Sequence, residues 1–386
     1  MKVHEIYLDN AATTQPMEEL KELFNHYVDS GWYNPSAAYD VAMELERQIV
    51  EAKELIKTVT GARKASVLFT SCGTEGDNTA ILEGYRPQGN RKLHFITSIV
   101  EHPAVYETFK LLERRGHEVS YLRPNAHGEI MASSVLSQVR PNTVLCSLMH
   151  VNNETGAIND IGQITQQIKR INPNIMMHVD GVQGFLKAPV AFDEWGIDYY
   201  TISAHKIHGL KGTGALIYRD GAPLKPYIIG GGQEKGLRSG TENTFGILAM
   251  KKANELFMPG WEENISRMEQ LKRQCAAGLS QLEGVHILTD VEHSAPHILY
   301  VAIEGIRGEV LLHLLEKDGI YISTGSACSA RKKKVGRIAG GIGLNQKISE
   351  GVIRISFCEW NNSHEVDVLI QRVIEHVQML RRYTRR

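Results

Sequence analysis

The most constraining feature of the sequence is an alternation, between residues 65 and 218, of short apolar runs with stretches of helical periodicity. Ala65–Phe69, Leu93–Ile96, Val119–Leu122, Val144–Met149, Ile175–Val179, Tyr199–Ser203 and Gly214–Tyr218 read as strands. Between them, Thr74–Leu82, Pro103–Arg114, Ala132–Val139 and Ile161–Ile171 read as helices, the last with Ile161, Ile164, Ile168 and Ile171 on one face. Strands that take turns with helices build an α/β fold with a largely parallel sheet, covered on both faces. Ligands of such sheets bind beyond the carboxyl ends of the strands. Several of those ends carry polar clusters: SCGTE at 71–75, SIVEHP at 98–103, MHVNNE at 149–154, HVDGVQ at 178–183 and SAHK at 203–206.

Ahead of the alternation, the stretch after Pro35 is expected to be a helix capped by Ser36. Ala38, Val41, Leu45, Ile49, Ala52, Ile56 and Val59 form its apolar stripe, and Gly61 stands where a C-terminal cap belongs. After Gly246 a long helical stretch, through Leu256 and then from Trp261 to Leu282, leads to a second, smaller α/β unit. Its strands are expected near 285–288, 298–303 and 352–357, and its helices near 309–317 and 365–380. Lys plus Arg number 43 against 44 Asp plus Glu, a balance that excludes a dedicated nucleic-acid coat; no direct nucleic-acid binding is expected. No apolar run approaches the roughly 18 residues of a membrane helix, so no membrane partner is expected. The opening MKVHEIYLDN mixes charged with apolar residues and has no signal-peptide pattern, which makes the cytoplasm the expected compartment. The five cysteines, at 72, 146, 275, 328 and 358, are odd in number and none is paired at CxxC spacing. Neither a disulfide framework nor a structural metal site is expected from them.

Lys206 follows the apolar run Thr201–Ser203 and precedes a glycine-rich segment. A lone lysine at a strand end is most often a solvated charge. Asp180, however, ends another apolar strand, with Gln183 three residues on, and a buried carboxylate is costly unless it meets a cation. A protonated pyridine nitrogen is such a cation. A lysine in Schiff-base linkage to pyridoxal phosphate, with an aspartate on the ring nitrogen, is how proteins hold that cofactor. Its phosphate needs a cradle. Ser71-Cys72-Gly73-Thr74 lies between a strand and a helix start, where free N–H groups and the helix dipole favour an anion. Ser203 and His205 are further candidate donors, and His102 is a candidate to lie over the ring.

Taken in order, SCGTEGDN, EHPAV, HVNNETG, HVDGVQ, SAHKIHG, GGGQEKGLRSGTEN and TGSACS resemble the NifS/IscS-type cysteine desulfurases, fold-type I pyridoxal-phosphate enzymes of the class V aminotransferase superfamily. The similarity runs from YLDNAATT at 7–14 to IRIS at 353–356. It implies a large domain over residues 15–250 with a mostly parallel seven-stranded sheet. Residues 1–14 with 251–386 would form a smaller domain carrying a catalytic cysteine loop at about 323–342. Lys206 would bind the cofactor covalently and shuttle protons, Asp180 would hold the ring nitrogen, and Gln183 the ring hydroxyl oxygen. His102 would stack on the ring, while Gly73, Thr74, Ser203 and His205 would bind the phosphate. Thr241 would reach the phosphate of a partner subunit in a homodimer, and Asn153 and Arg354 would grip the substrate carboxylate. Cys328, in a run of small residues suited to a moving catalytic group, would take the sulfur of L-cysteine as a persulfide, leaving alanine. The persulfide would pass to an acceptor protein for iron–sulfur assembly or for tRNA or cofactor thiolation. The sequence departs from the pattern at Cys72, at Cys358 and in the basic run Arg331–Lys334. That run is either solvated surface or a steering patch for an acidic acceptor. Rival expectations are a selenocysteine lyase, another class V enzyme such as an aminotransferase, which needs no thiol, and a cofactor-bearing scaffold without turnover.

Overall fold

The computed structural model describes residues 5–86, 91–324 and 336–384. The alternating region forms one seven-stranded sheet. Across it lie Ala65–Thr70, Gly214–Arg219, Tyr199–Ser203, Met176–Asp180, Thr143–Met149, His94–Ser98 and Glu118–Leu122. From Tyr199–Ser203 to Glu118–Leu122 every neighbouring pair is parallel. Thr143–Met149 is buried at every position, as expected where helices cover both faces.

Gly214–Arg219 runs antiparallel to both of its neighbours. Antiparallel neighbours need no helical crossover. The chain therefore returns from Ser203 to Gly214 through a short irregular segment, which opens with the 3₁₀ turn Ala204–Lys206. Lys206 thus stands on a tight return at the carboxyl end of a central strand.

The helices Pro103–Arg114 and Ile161–Ile171 have the expected bounds, and Ile161, Ile164 and Ile168 are buried, but Ile171, at the last position of its helix, is 55% exposed. Pro103 occupies the first helical position, where a missing N–H costs nothing, and His102 caps the helix by accepting from the Ala104 N–H at 3.2 Å. The first long helix corrects the sequence expectation. It runs Asp40–Thr60, Ser36 does not cap it, and Val41 is 46% exposed. Ser36 instead gives its N–H to Asn34 Oδ1 at 2.9 Å, an Asx-type turn that delays the helix start. The buried stripe is Ala42, Leu45, Ile49, Ala52, Ile56 and Thr60, and Gly61 closes the helix in the left-handed region at φ 66°.

The C-terminal part carries an antiparallel sheet of Val352–Ser356, Ile298–Ile303 and Val285–Ile287, with the helices Trp261–Leu279, Gly308–Lys317 and Ser363–Thr384. The N-terminal segment joins it. Ile6–Tyr7 pairs in parallel with Ile320–Tyr321, and Asp9 bridges to Ser356. From there the chain crosses to the large sheet, where the Thr14 N–H donates to the His205 carbonyl at 2.9 Å. The largest buried apolar cluster is continuous from Ile6 to Val377. No described helix is long and apolar enough to cross a membrane.

Candidate active site

The polar strand ends converge on a cavity of about 380 Å³. Gly73, Thr74, His102, Asn153, Asp180, Gln183, Ser203, His205, Lys206 and Arg354 all line it. The lining also includes Ala11, Ala12 and Asp77, which sequence reasoning did not single out as site residues.

Lys206 Nζ donates to the carbonyls of Ala11 and Ala12, both at 2.7 Å. Its ammonium is pushed down to about 8, first by burial and then by the Arg354 cation, against the pull of Asp9 and Asp180. Asp180 closes Met176–Asp180 and accepts the Val182 N–H at 3.0 Å. Burial, reinforced by the nearby Asp77, raises its carboxyl to about 7. A cation placed against Asp180 would reverse that penalty. Asp77 is raised to about 7 for the same first reason, loss of water.

An anion is favoured at another part of the cavity lining. The helix Gly73–Glu83 starts there, after an extended Cys72. A side chain on Gly73 would place its Cβ 2.7 Å from a Val182 methyl, so the packing of this helix start against Val182 favours glycine. The Ser203 hydroxyl is buried with no hydrogen-bond partner among the described residues, a donor left for a ligand. His205 stands beside Thr13 Oγ1 at 3.2 Å and is lowered to about 4 by burial and then by Lys206.

His102 uses Nδ1 to cap its helix, so a neutral ring carries its proton on Nε2. It is lowered to about 4 by burial, then by Lys206 and Arg337, and stays neutral at physiological pH. Arg354 is almost fully buried. It donates through Nη1 to the Asn153 carbonyl at 2.8 Å and through Nη2 to Asp9 Oδ1 at 2.7 Å. Its Nε and the Asn153 Oδ1 have no partner among the described residues, so both can serve a ligand.

Thr241 is not in this cavity. It is exposed, beside a smaller cavity of about 70 Å³ that Ser71, Arg238 and Asn243 also line. Cys328 and Arg331–Lys334 lie outside the described residues. Of the other cysteines, Cys146, Cys275 and Cys358 are buried, and burial raises all three thiols, Cys358 to about 12. As thiols rather than thiolates they are poor nucleophiles. Cys358 lies beside His208 and Glu359, a buried pair 3.2 Å apart.

Chemically, the cavity offers an amine suited to covalent attachment, a carboxylate that gains from a cation, an anion cradle and a guanidinium for a carboxylate. The model of the family described as aminotransferase class-V matches residues 6–369. A protein of Trichormus azollae named cysteine desulfurase is 36% identical over 377 residues, 97% of this chain and 94% of that protein. A solved structure described as a NifS-like protein superposes with a TM-score of 0.90 at 34% identity, covering 97% of this chain and all of the other. Another, described as SspA in complex with cysteine, gives a TM-score of 0.80 at 30% identity, covering 92% of this chain and all of that one. With the fold, the strand-end cavity and the full-length match in agreement, the chain belongs to the aminotransferase class-V family.

Proposed function

We propose that the protein is a cysteine desulfurase, which removes sulfur from L-cysteine, holds it as a persulfide on Cys328 and releases alanine. The observation that carries the reading is the meeting of Lys206, Asp180, the Gly73 helix start and Arg354 around one cavity. The same residues fit pyridoxal phosphate, which when bound supplies an electron sink for the substrate amino acid. Lys206 would hold it covalently. Asp180 would sit on the ring nitrogen as its counter-charge, and Gln183 would face the ring hydroxyl oxygen. Gly73, Thr74, Ser203 and His205 would take the phosphate, and the neutral His102 ring would cover one face.

The substrate carboxylate would accept from Arg354, whose Nε has no partner among the described residues, and from the side-chain NH₂ of Asn153. Lys206, set free at its Nζ, moves the proton at the substrate Cα. The Cys328 thiolate attacks the substrate sulfur. An S–S bond forms, the Cβ–S bond breaks with its electron pair left on carbon, and protonation of the three-carbon remainder gives alanine. An acceptor protein then takes the outer sulfur. The exposed Thr241, together with Ile229 at 87% exposure and Tyr227 at 42%, supports a second copy of the chain packing over this surface.

The test is to add L-cysteine and a reducing thiol to cofactor-loaded protein and to measure alanine and sulfide together. Equal amounts of the two are expected. Cys328→Ser should keep the cofactor's visible absorption and give neither product above background. Formation of a keto acid in place of alanine would overturn the reading in favour of an aminotransferase.

A further inference from the structure

Against Gln183 stands a histidine that does not line the cavity and that the chemistry above does not use. His297 is 2% exposed and precedes the strand Ile298–Ile303. Its Nε2 stands 3.1 Å from Gln183 Oε1. The other end of the same amide, Gln183 Nε2, donates to the Ala11 carbonyl at 2.8 Å. That carbonyl also receives Lys206 Nζ at 2.7 Å.

These contacts leave one self-consistent arrangement of hydrogens. A carbonyl only accepts, so the Gln183 NH₂ must face Ala11 and its oxygen must face His297. The amide oxygen only accepts as well, so His297 must carry its proton on Nε2. The ring is neutral: burial first, then the cations Lys187, Lys272, Arg354 and Lys206, hold it well below the ordinary histidine value. It therefore has one proton, and Nδ1 is bare, in agreement with the lack of any partner for Nδ1 among the described residues. One N–H of Gln183 is spent on Ala11. The second is the one Gln183 can present to the cavity it lines.

We propose that His297 is a positioning residue, which locks the Gln183 amide so that the cavity meets an N–H donor and never the amide oxygen. This rests on the reading of the cavity as a pyridoxal-phosphate site. An N–H aimed at the ring hydroxyl oxygen stabilises negative charge there. That would make the oxygen a weaker base, which would hold less firmly a proton shared with Lys206 Nζ. Without His297 the amide is held at its Ala11 end alone, its second N–H strays from the cavity for part of the time, and that proton would be held more tightly.

The experiment is a pH titration of the visible absorption of the cofactor-loaded protein. His297→Leu should move its midpoint upward by ~0.5–1 pH unit, the equivalent of one net hydrogen bond. Two polar variants separate positioning from packing. The side-chain nitrogen of glutamine reaches where histidine Nε2 lies, whereas that of asparagine reaches only to the place of Nδ1. His297→Gln should keep the parent midpoint, and His297→Asn should shift it as leucine does. In a Gln183→Ala background, His297→Leu should add no further shift. A parent-like midpoint in both His297→Leu and His297→Asn would overturn the proposal, as would an undiminished shift in the Gln183→Ala background. Absence of any cofactor-dependent visible band in the parent would overturn the cofactor reading itself, and the positioning role with it. A band that is present but indifferent to His297 overturns the positioning role alone.

Discussion

Lys206 ties the chemistry of the cavity to pH. Burial pushes its ammonium down to about 8 in the folded protein, from 10.5 for an ordinary lysine. Between those values the unfolded chain keeps a proton that the folded chain has released, so stability rises with pH across that window. Below 8 both states are charged, and the cost of the buried cation is constant. Cofactor-free protein should therefore gain urea resistance from pH 8 towards 10.5 relative to Lys206→Met, and parallel urea midpoints for the two would refute the depressed amine. In the proposed reaction Arg354 holds the substrate carboxylate. Lysine cannot reproduce its two-pronged fork, so Arg354→Lys should raise the KM for L-cysteine by about tenfold or more, as expected for loss of a charged hydrogen bond. The effect on kcat should be smaller; a change confined to kcat would place Arg354 elsewhere in the reaction. Lys206 and Asp180 were legible as a pair, because a carboxylate that closes an apolar strand calls for a cation; Arg354, which lies within Val352–Ser356, was reached only through the family resemblance. The Ala11 and Ala12 carbonyls that hold Lys206 were not legible, because a backbone oxygen leaves no mark in a sequence. His297 was hidden for a related reason: its partner is 114 positions away.

Elements with a long period were the readable ones. Pro103–Arg114 repeats its apolar positions over three turns and starts at a proline, so its bounds could be read directly. Ile6–Tyr7 and Ile320–Tyr321 have two residues each, too few to show any period, and exist because they find one another across the chain. The direction of Gly214–Arg219 was equally hidden, since a buried run of apolar residues is the same whichever way it points. Close packing between elements can be tested at Gly181, just beyond Asp180. A Cβ there would stand 2.1 Å from Cζ of the Tyr200 ring in the neighbouring strand, and Tyr200 is itself held by His150 at 3.0 Å. A rigid ring cannot swing aside as a methyl can. Gly181→Ala should therefore cost about 1–3 kcal/mol, read as a lower urea midpoint, and should weaken cofactor binding by displacing Asp180 and Gln183. An unchanged midpoint would mean that the strand end yields freely.

On the scale of the whole molecule, the surface around Thr241 is where a second copy is expected. Thr241→Ala should speed cofactor loss on dialysis while leaving the protomer folded and the dimer intact by sedimentation. A protein that is monomeric and fully active at assay concentration would refute the shared site. The cavity also draws its parts from both ends of the chain: Ala11 and Ala12 near the start, and Arg354 in a strand whose last residue, Ser356, bridges to Asp9. A ribosome makes these parts in order, the first almost at once and the last near the end of its work. Throughout the interval, Ile6–Tyr7 has no strand to pair with and the Asp9–Arg354 ion pair cannot form. Completion of the cavity is thus timed by translation itself: a nascent chain halted before residue 354 has Lys206 but lacks Arg354, and only a chain that carries both can close the lining.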